Sequence, residues 1–178
     1  MRKNAKNIVS VKGKRVKATP NYGKVMLKLA LAAFALLLIL LNLFTVVFSV
    51  VRYYGDGMEP TLESGQILLI RKTASVEEGD IIAFYYNNKA LVRRVICEGG
   101  KTLVVDDGGG VLIDGEAVEE EYVLQPSFGQ SNVTYPYTVP TGQYFVMGDN
   151  RAIAMDSRLQ EIGTITSDRI IGKVVFGF

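Results

Sequence analysis

Residues 29–51 read LALAAFALLLILLNLFTVVFSVV and carry no charged side chain. As a helix this stretch would be about 34 Å long, at about 1.5 Å per residue, which is enough to cross a hydrocarbon core of about 30 Å. Only Asn42, Thr45 and Ser49 are polar, so the polar stripe of a soluble amphipathic helix is absent. A cleaved signal peptide is the alternative, but no convincing small-residue cleavage site follows Leu43. The pattern predicts a retained transmembrane helix.

Charge is distributed unequally along the chain. Residues 1–28 hold nine Lys or Arg and no acid, whereas all 18 acidic residues follow Arg52. Basic residues beside a membrane segment are retained in the cytoplasm. We therefore predict a basic cytoplasmic tail over 1–28, a single transmembrane helix over 29–51 in the cell membrane, and an extracytoplasmic domain over 52–178. After Arg52 there are ten basic and 18 acidic residues, a formal charge of −8, which argues against a nucleic-acid partner.

The side chains that are missing restrict the chemistry. The chain has no histidine, which excludes a Ser-His-Asp triad, a Cys-His dyad and His-ligated zinc. Its single cysteine, Cys97, cannot form an internal disulfide, and a free cysteine beside a core strand is most often a small hydrophobe. We expect no metal and no cofactor.

Short apolar runs recur after Arg52, bounded by Gly, Asn and Asp. These runs, each predicted to be a strand, are 66–72, 80–86, 90–96, 102–106, 110–115, 122–124, 143–149 and 170–178. Turn residues separate them at Asn87-Asn88, Asp106 to Gly110 and Asp114-Gly115. Residues 119–138 have no clear pattern and are predicted to form a long loop. The predicted fold class is mostly β, with an antiparallel coiled or barrel-like sheet.

Four segments, in order, carry a resemblance to a known family. They are GDGMEPTL (55–62), GDIIAF (79–84), VRRVIC (92–97) followed by Gly100 and Lys101, and GDNRAIAMDSR (148–158). Together they resemble the type I signal peptidases (peptidase S26) of the Gram-positive kind. The resemblance implies a signal-peptidase fold in which a serine is deprotonated by a buried, neutral lysine and attacks a peptide bond.

This chain departs from that family at the site itself. Gly57 stands at the nucleophile position, Arg93 at the base position, and Ala154 where the family has a serine that orients the lysine. Glycine has no nucleophile, and arginine keeps its proton in proteins. The scaffold residues of the motifs are retained; they are Pro60, Asp149, Asn150, Asp156 and Arg158. We therefore expect no catalytic residue, leaving vestigial positions at 57, 93 and 154.

Two charged pairings follow from these residues. Asp156 and Arg158 are predicted to form a structural pair, as residues i and i+2 of an extended segment. Arg93 is expected to find a partner in Asp56 or Asp156, because a buried unpaired guanidinium is unfavourable.

A displaced dyad remains the alternative, since six serines and four lysines follow Arg52. Ser64 is the serine closest to Gly57. The four lysines are Lys72, Lys89, Lys101 and Lys173.

By the resemblance, the surface around position 57 docks on the membrane and takes an extended polypeptide as an added strand. The residues matched there are Gly55, Asp56, Met58, Pro60 and Leu62. Inactive signal-peptidase-like proteins of Gram-positive pilus gene clusters assist pilin polymerisation alongside a sortase. The resemblance thus implies a non-enzymatic chaperone or assembly factor whose partners are the cytoplasmic membrane and an extended segment of a pilin or sortase. An active type I signal peptidase that cleaves pre-proteins and a regulatory partner of such an enzyme are the alternatives.

Overall fold

The structure is a computed structural model and describes residues 8–11, 14–17, 21–72 and 75–178. It divides into two compact units, Met1–Phe44 and Thr45–Phe178. In the first unit, strands β1 (Ile8–Val11) and β2 (Lys14–Lys17) pair antiparallel as a separate hairpin.

Helix α1 runs over Tyr22–Val47. Asn21 begins it as an N-cap, its side-chain oxygen accepting a hydrogen bond from the Lys24 amide (3.3 Å). Within the described residues α1 is the one helix long and apolar enough to cross a membrane, and none of its residues is buried. Its bounds differ from the predicted span of 29–51, because residues 48–51 belong to a β-strand instead.

The second unit contains eleven further strands among its described residues. In chain order they are β3 (Phe48–Arg52), β4 (Ile67–Arg71), β5 (Ile81–Tyr86), β6 (Lys89–Glu98), β7 (Thr102–Val105), β8 (Val111–Ile113), β9 (Glu116–Ala117), β10 (Tyr137–Thr138), β11 (Gln143–Met147), β12 (Ile165–Thr166) and β13 (Ile170–Gly177). A 3₁₀ turn, Ser167–Arg169, precedes β13.

These strands form two antiparallel sheets. The larger has seven strands in the order β12-β11-β6-β5-β13-β4-β3, and the smaller has four in the order β10-β7-β8-β9. Neighbouring strands in both sheets pair antiparallel. The predicted fold class, a mostly β antiparallel domain after one N-terminal apolar helix, is confirmed.

The local predictions have two different outcomes. Asn87 and Asn88 both take positive φ (48° and 60°) in the two-residue turn between β5 and β6, as a type I′ hairpin requires. Seven of the eight predicted strands are present. The prediction for 122–124 is wrong, because this stretch lies in a turn. Its aromatic residue, Tyr122, packs under the Arg94 guanidinium, 3.8 Å from the ring centroid, and joins no ladder.

Strand β3 lies where the sequence predicted membrane helix. Each residue of β3 is paired with one of β4, from Phe48 with Arg71 to Arg52 with Ile67. Val50 and Val51 are β-branched and favour this extended conformation. The pairing with β4 completes the larger sheet at one edge, and this long-range contact outweighs the continuous apolar composition.

Candidate functional site

The three vestigial positions are brought together. A Cβ atom built on Gly57 would lie 3.0 Å from Nη2 and 3.2 Å from Cζ of Arg93. A Cβ built on Gly148 would overlap both the Ala154 methyl group and the Gly57 carbonyl. Residues 57, 93 and 154, more than 30 residues apart in sequence, therefore line one small, buried volume, and the Arg93 guanidinium lies directly beside the space that a side chain at 57 would occupy.

The Arg93 guanidinium donates hydrogen bonds to backbone carbonyl groups. Its Nε donates to the carbonyl of Met155 (2.9 Å), and its Nη1 donates to the carbonyl of Val92 (2.6 Å). Burial lowers the pKa of Arg93, while the charge of Asp156 and the Tyr53 side chain oppose that shift.

The predicted ion pair of Arg93 with Asp56 or Asp156 is wrong. Among the described residues neither carboxylate pairs with Arg93, and Asp156 is bound to Arg158 instead. Backbone carbonyls accept hydrogen bonds from the guanidinium but carry no negative charge. Arg93 is therefore hydrogen-bonded and has no ion-pair partner.

Tyr53 links the Arg93 guanidinium to the segment that carries Gly57. Its hydroxyl accepts a hydrogen bond from the Met58 amide (3.1 Å), and its interaction with Arg93 opposes the lowering of the Arg93 pKa. Burial is the main cause that raises the pKa of Tyr53, so the phenol stays neutral at ordinary pH. Tyr53 was not singled out from the sequence, because nothing in its neighbourhood distinguishes it from an ordinary core tyrosine.

Asp149 and Asn150 hold the 56–61 segment in place. Asp149 forms a bidentate pair with Arg94 (2.9 and 2.6 Å) and accepts a hydrogen bond from Thr61. The Asn150 amide donates to the Gly57 carbonyl (3.1 Å), and its side chain donates to the Asp56 carbonyl (3.2 Å). Both residues act as scaffold here.

The predicted pair of Asp156 and Arg158 is present and fully buried. Two hydrogen bonds of 2.8 Å join their side chains, and Asp156 also accepts from the Gly148 amide (2.9 Å). The two residues lie in a turn and not in an extended segment, so the pairing holds although its expected geometry does not. A third buried pair, Arg151 with Glu120, was not foreseen, since its partners are 31 residues apart.

The predicted partner surface is only partly available. Gly55, Asp56 and Pro60 are exposed, and Pro60 lines a cavity of about 570 Å³ with Glu59 and Glu63. Met58 and Leu62, however, are buried in the core with exposed fractions of 0% and 6%. These two side chains support the segment from beneath and cannot contact a partner.

A different groove opens beside Arg93. Its volume is about 760 Å³, and its lining includes Arg52, Tyr54, Lys89, Leu91 and Met155. Sequence reasoning missed it, although two of the motif segments, 55–62 and 92–97, flank residues that form its walls.

The other nucleophile and base candidates lie in different surroundings. Cys97 is fully buried in the core, and burial raises the pKa of its thiol to about 12. None of the four lysines after Arg52 is buried, whereas the base that the family resemblance implies is a buried lysine. In the part of the chain that the structure describes, no cluster of His, Cys, Asp and Glu is arranged to hold a metal ion.

Comparison with known proteins identifies the family. The profile described as "Signal peptidase, peptidase S26" matches residues 26–178. The chain therefore belongs to the signal peptidase S26 family. It is 38% identical over 138 residues to the "Probable signal peptidase I-1" of Synechocystis sp., covering 70% of this chain and 67% of that protein. It is 35% identical over 143 residues to "Signal peptidase I T" of Bacillus subtilis, covering 70% of each.

A solved structure of a signal peptidase I from Enterococcus faecalis is also similar. It is 28% identical in sequence, and the match covers 56% of this chain and 97% of that one with a TM-score of 0.48.

Proposed function

We propose that this protein is a membrane-anchored, non-catalytic member of the signal peptidase family that binds an extended polypeptide and assists the assembly of sortase-built pili. The observation that carries the proposal is the position of the Arg93 guanidinium, which fills the space beside Gly57. A peptidase of this family needs a neutral base at position 93, and arginine is permanently charged. Position 57 has no side chain, so this site has no route to an acyl-enzyme.

A free strand edge supports the binding role. Residues 89–94 of β6 pair with β5 on one side, but on the other side β11 reaches only residues 94–98. Within the described residues no strand pairs with 89–93 on that second side. An extended polypeptide can add to such an edge through backbone hydrogen bonds without any catalysis.

The hydrogen-bonding alternation of β6 identifies which groups are available. Val95 donates its amide towards Asp80, on the β5 side (2.8 Å). In an antiparallel strand, one residue directs its amide and carbonyl groups to one side, and the next residue directs them to the other side. Ala90 and Val92 therefore direct their amide and carbonyl groups to the open side. The Val92 carbonyl already accepts a hydrogen bond from the Arg93 guanidinium. An added strand would therefore form its backbone hydrogen bonds mainly with Ala90.

The absence of peptidase activity is tested on the purified full-length protein in detergent. A pre-protein with a signal peptide should remain intact, whereas an active type I signal peptidase, run in parallel, should cleave it. Cleavage that disappears in a Ser64→Ala or Lys89→Ala variant would contradict the proposal and support the displaced dyad.

Restoring the site tests whether only its chemistry was lost. The triple variant Gly57→Ser, Arg93→Lys, Ala154→Ser places a serine beside a lysine at a buried position, where the lysine pKa should fall. Slow cleavage of the same pre-protein is expected from this variant and not from Arg93→Lys alone. An inert triple variant would mean that the cleft has changed in shape as well.

The assembly role is tested in the organism that carries the gene. Deletion should shorten or abolish the ladder of polymerised pilin on an immunoblot, and the wild-type gene should restore it. A restored ladder with the Ser64→Ala variant would separate assembly from any serine chemistry. An unchanged ladder after deletion would contradict the pilus role.

A further inference from the structure

The groove beside Arg93 is lined by cations in a domain that is otherwise acidic. Arg52, Lys89 and Arg93 all line it, and its lining includes no Asp or Glu. The residues after Arg52, by contrast, include 18 acids and ten bases. The groove therefore has the opposite charge to the domain as a whole.

None of the three cations is neutralised by the protein. The ion pairs of the described residues use other cations, namely Arg94, Lys101, Arg151, Arg158 and Lys173. Arg52 donates to the Gly65 carbonyl (3.1 Å) and lies over the Tyr54 ring at 5.6 Å. Arg93 is held by two carbonyls. Neither guanidinium therefore has a carboxylate ion-pair partner among the described residues.

Two of these cationic side chains also lie along the part of β6 that has a free edge. Lys89, Leu91 and Arg93 alternate along the strand, so their side chains share one face, while Ala90 between them directs its backbone groups to the open side. Backbone pairing and charge contacts are thus available to the same occupant. A second strand on this edge would place its alternate side chains over the same face.

We infer that this groove binds an extended polypeptide segment bearing acidic side chains, which pairs with the free edge of β6 and places its carboxylates on Arg52 and Lys89. This inference rests on the proposed function and gives the bound segment its chemistry. Arg93 closes one end of the groove, where the buried guanidinium occupies the space beside Gly57.

The test measures peptide binding by fluorescence anisotropy on the full-length protein in a non-ionic detergent. The probe is a labelled peptide of about ten residues with alternating Glu and Thr, and its matched control has Gln in place of each Glu. We expect the Glu peptide to bind roughly fivefold or more tightly than the Gln peptide, with the difference reduced by salt. Equal affinity of the two peptides would overturn the inference and leave strand addition itself standing. Failure of both peptides to bind would count against the proposed function as well.

Charge variants locate the contact. Lys89→Gln and Arg52→Gln should each weaken binding of the Glu peptide by about two- to fivefold, and should leave the Gln peptide unaffected. Arg71→Gln is the matched control, because it removes one exposed charge from β4 outside the groove. An equal loss of binding in Arg71→Gln would mean non-specific attraction and would overturn the inference. Displacement of the peptide by phosphatidylglycerol micelles, lost in Lys89→Gln, would assign the groove to a lipid headgroup and overturn it too.

Discussion

Gly57 and Arg93 depend on each other for space. The guanidinium lies 3.0 Å from where a Cβ at 57 would be, a distance at which one of the two groups must move. Hydrogen bonds to Met155 and Val92 hold Nε and Nη1 of Arg93, while Nη2 is the atom nearest to position 57. The absence of a side chain at 57 therefore leaves room for the arginine at 93, and a side chain at 57 would require the guanidinium to shift by a few tenths of an ångström.

A double-mutant cycle tests this coupling. Gly57→Ser alone should lower the free energy of unfolding by about 1–3 kcal/mol, because it overpacks a buried volume. Added to Arg93→Lys, the same serine should cost less, since lysine lacks the guanidinium fork, and the coupling energy should exceed about 0.5 kcal/mol. Urea unfolding of the wild type, the two single variants and the double variant measures the four corners of the cycle. Strictly additive effects would contradict the contact.

At the scale of elements, three buried Arg-carboxylate pairs fasten the 148–158 segment after β11. Asp149 reaches Arg94 on β6, Arg151 reaches Glu120 in the long loop, and Asp156 pairs with Arg158 within the segment. Buried ion pairs contribute little net stability when they replace apolar contacts, but breaking one leaves an uncompensated charge. They hold the walls of the vestigial site in a defined geometry.

Asp149→Asn should be strongly destabilising. The substitution keeps the size of the side chain but leaves the Arg94 guanidinium, whose side chain is 11% exposed, without its counter-charge, at a cost of about 3–5 kcal/mol. Lys101→Gln breaks the more exposed pair with Glu78 and should cost less than about 1 kcal/mol. Thermal unfolding of both variants gives the comparison. Similar losses in the two would mean that Asp149 is not structural.

The open edge of β6 makes a separate prediction. Ala90→Pro removes a backbone donor that faces the open side, and proline is tolerated at such positions of an edge strand. Circular dichroism and the unfolding midpoint should therefore stay close to those of the wild type, while the affinity for an extended peptide should fall about tenfold. Unchanged affinity in the folded variant would place the bound segment elsewhere.

At the scale of the whole molecule, a long apolar helix and an acidic β domain belong to one chain. Residues 1–28 carry nine basic side chains and no acid, and the positive-inside rule then predicts that the β domain lies outside the cell membrane. Membrane attachment would keep such a domain near newly exported polypeptides, where the proposed assembly factor for pili would act.

Protease accessibility tests this orientation. Trypsin added to intact protoplasts should digest the domain after Arg52, because its basic residues would lie outside, and a cytoplasmic marker protein should stay intact as the control. Replacing the basic residues of 1–28 by glutamine should reduce the fraction that is accessible. Protection of the domain in intact protoplasts would contradict the predicted topology.

Much of the architecture was predictable because its signals are local. Uninterrupted apolar length predicts α1, and alternating short runs with Asn and Gly turns predict the antiparallel strands between Ile67 and Gly177. The failures have a common cause. Residues 48–51 are as apolar as the helix before them but pair with β4, and Tyr122 of the 122–124 stretch packs under the Arg94 guanidinium. In both cases a partner far along the chain decides the conformation.

The sequence by itself determined the long apolar helix, the antiparallel class, and the presence of glycine and arginine at positions 57 and 93, because each depends on residue identity or on a local pattern. Only the tertiary structure decided that Arg93 is held by the carbonyls of Val92 and Met155, that Met58 lies in the core, and that a cationic groove runs along β6. These features depend on contacts between residues far apart in sequence, such as the 62 residues between Arg93 and Met155. Long-range packing sets those distances, and no local periodicity encodes them.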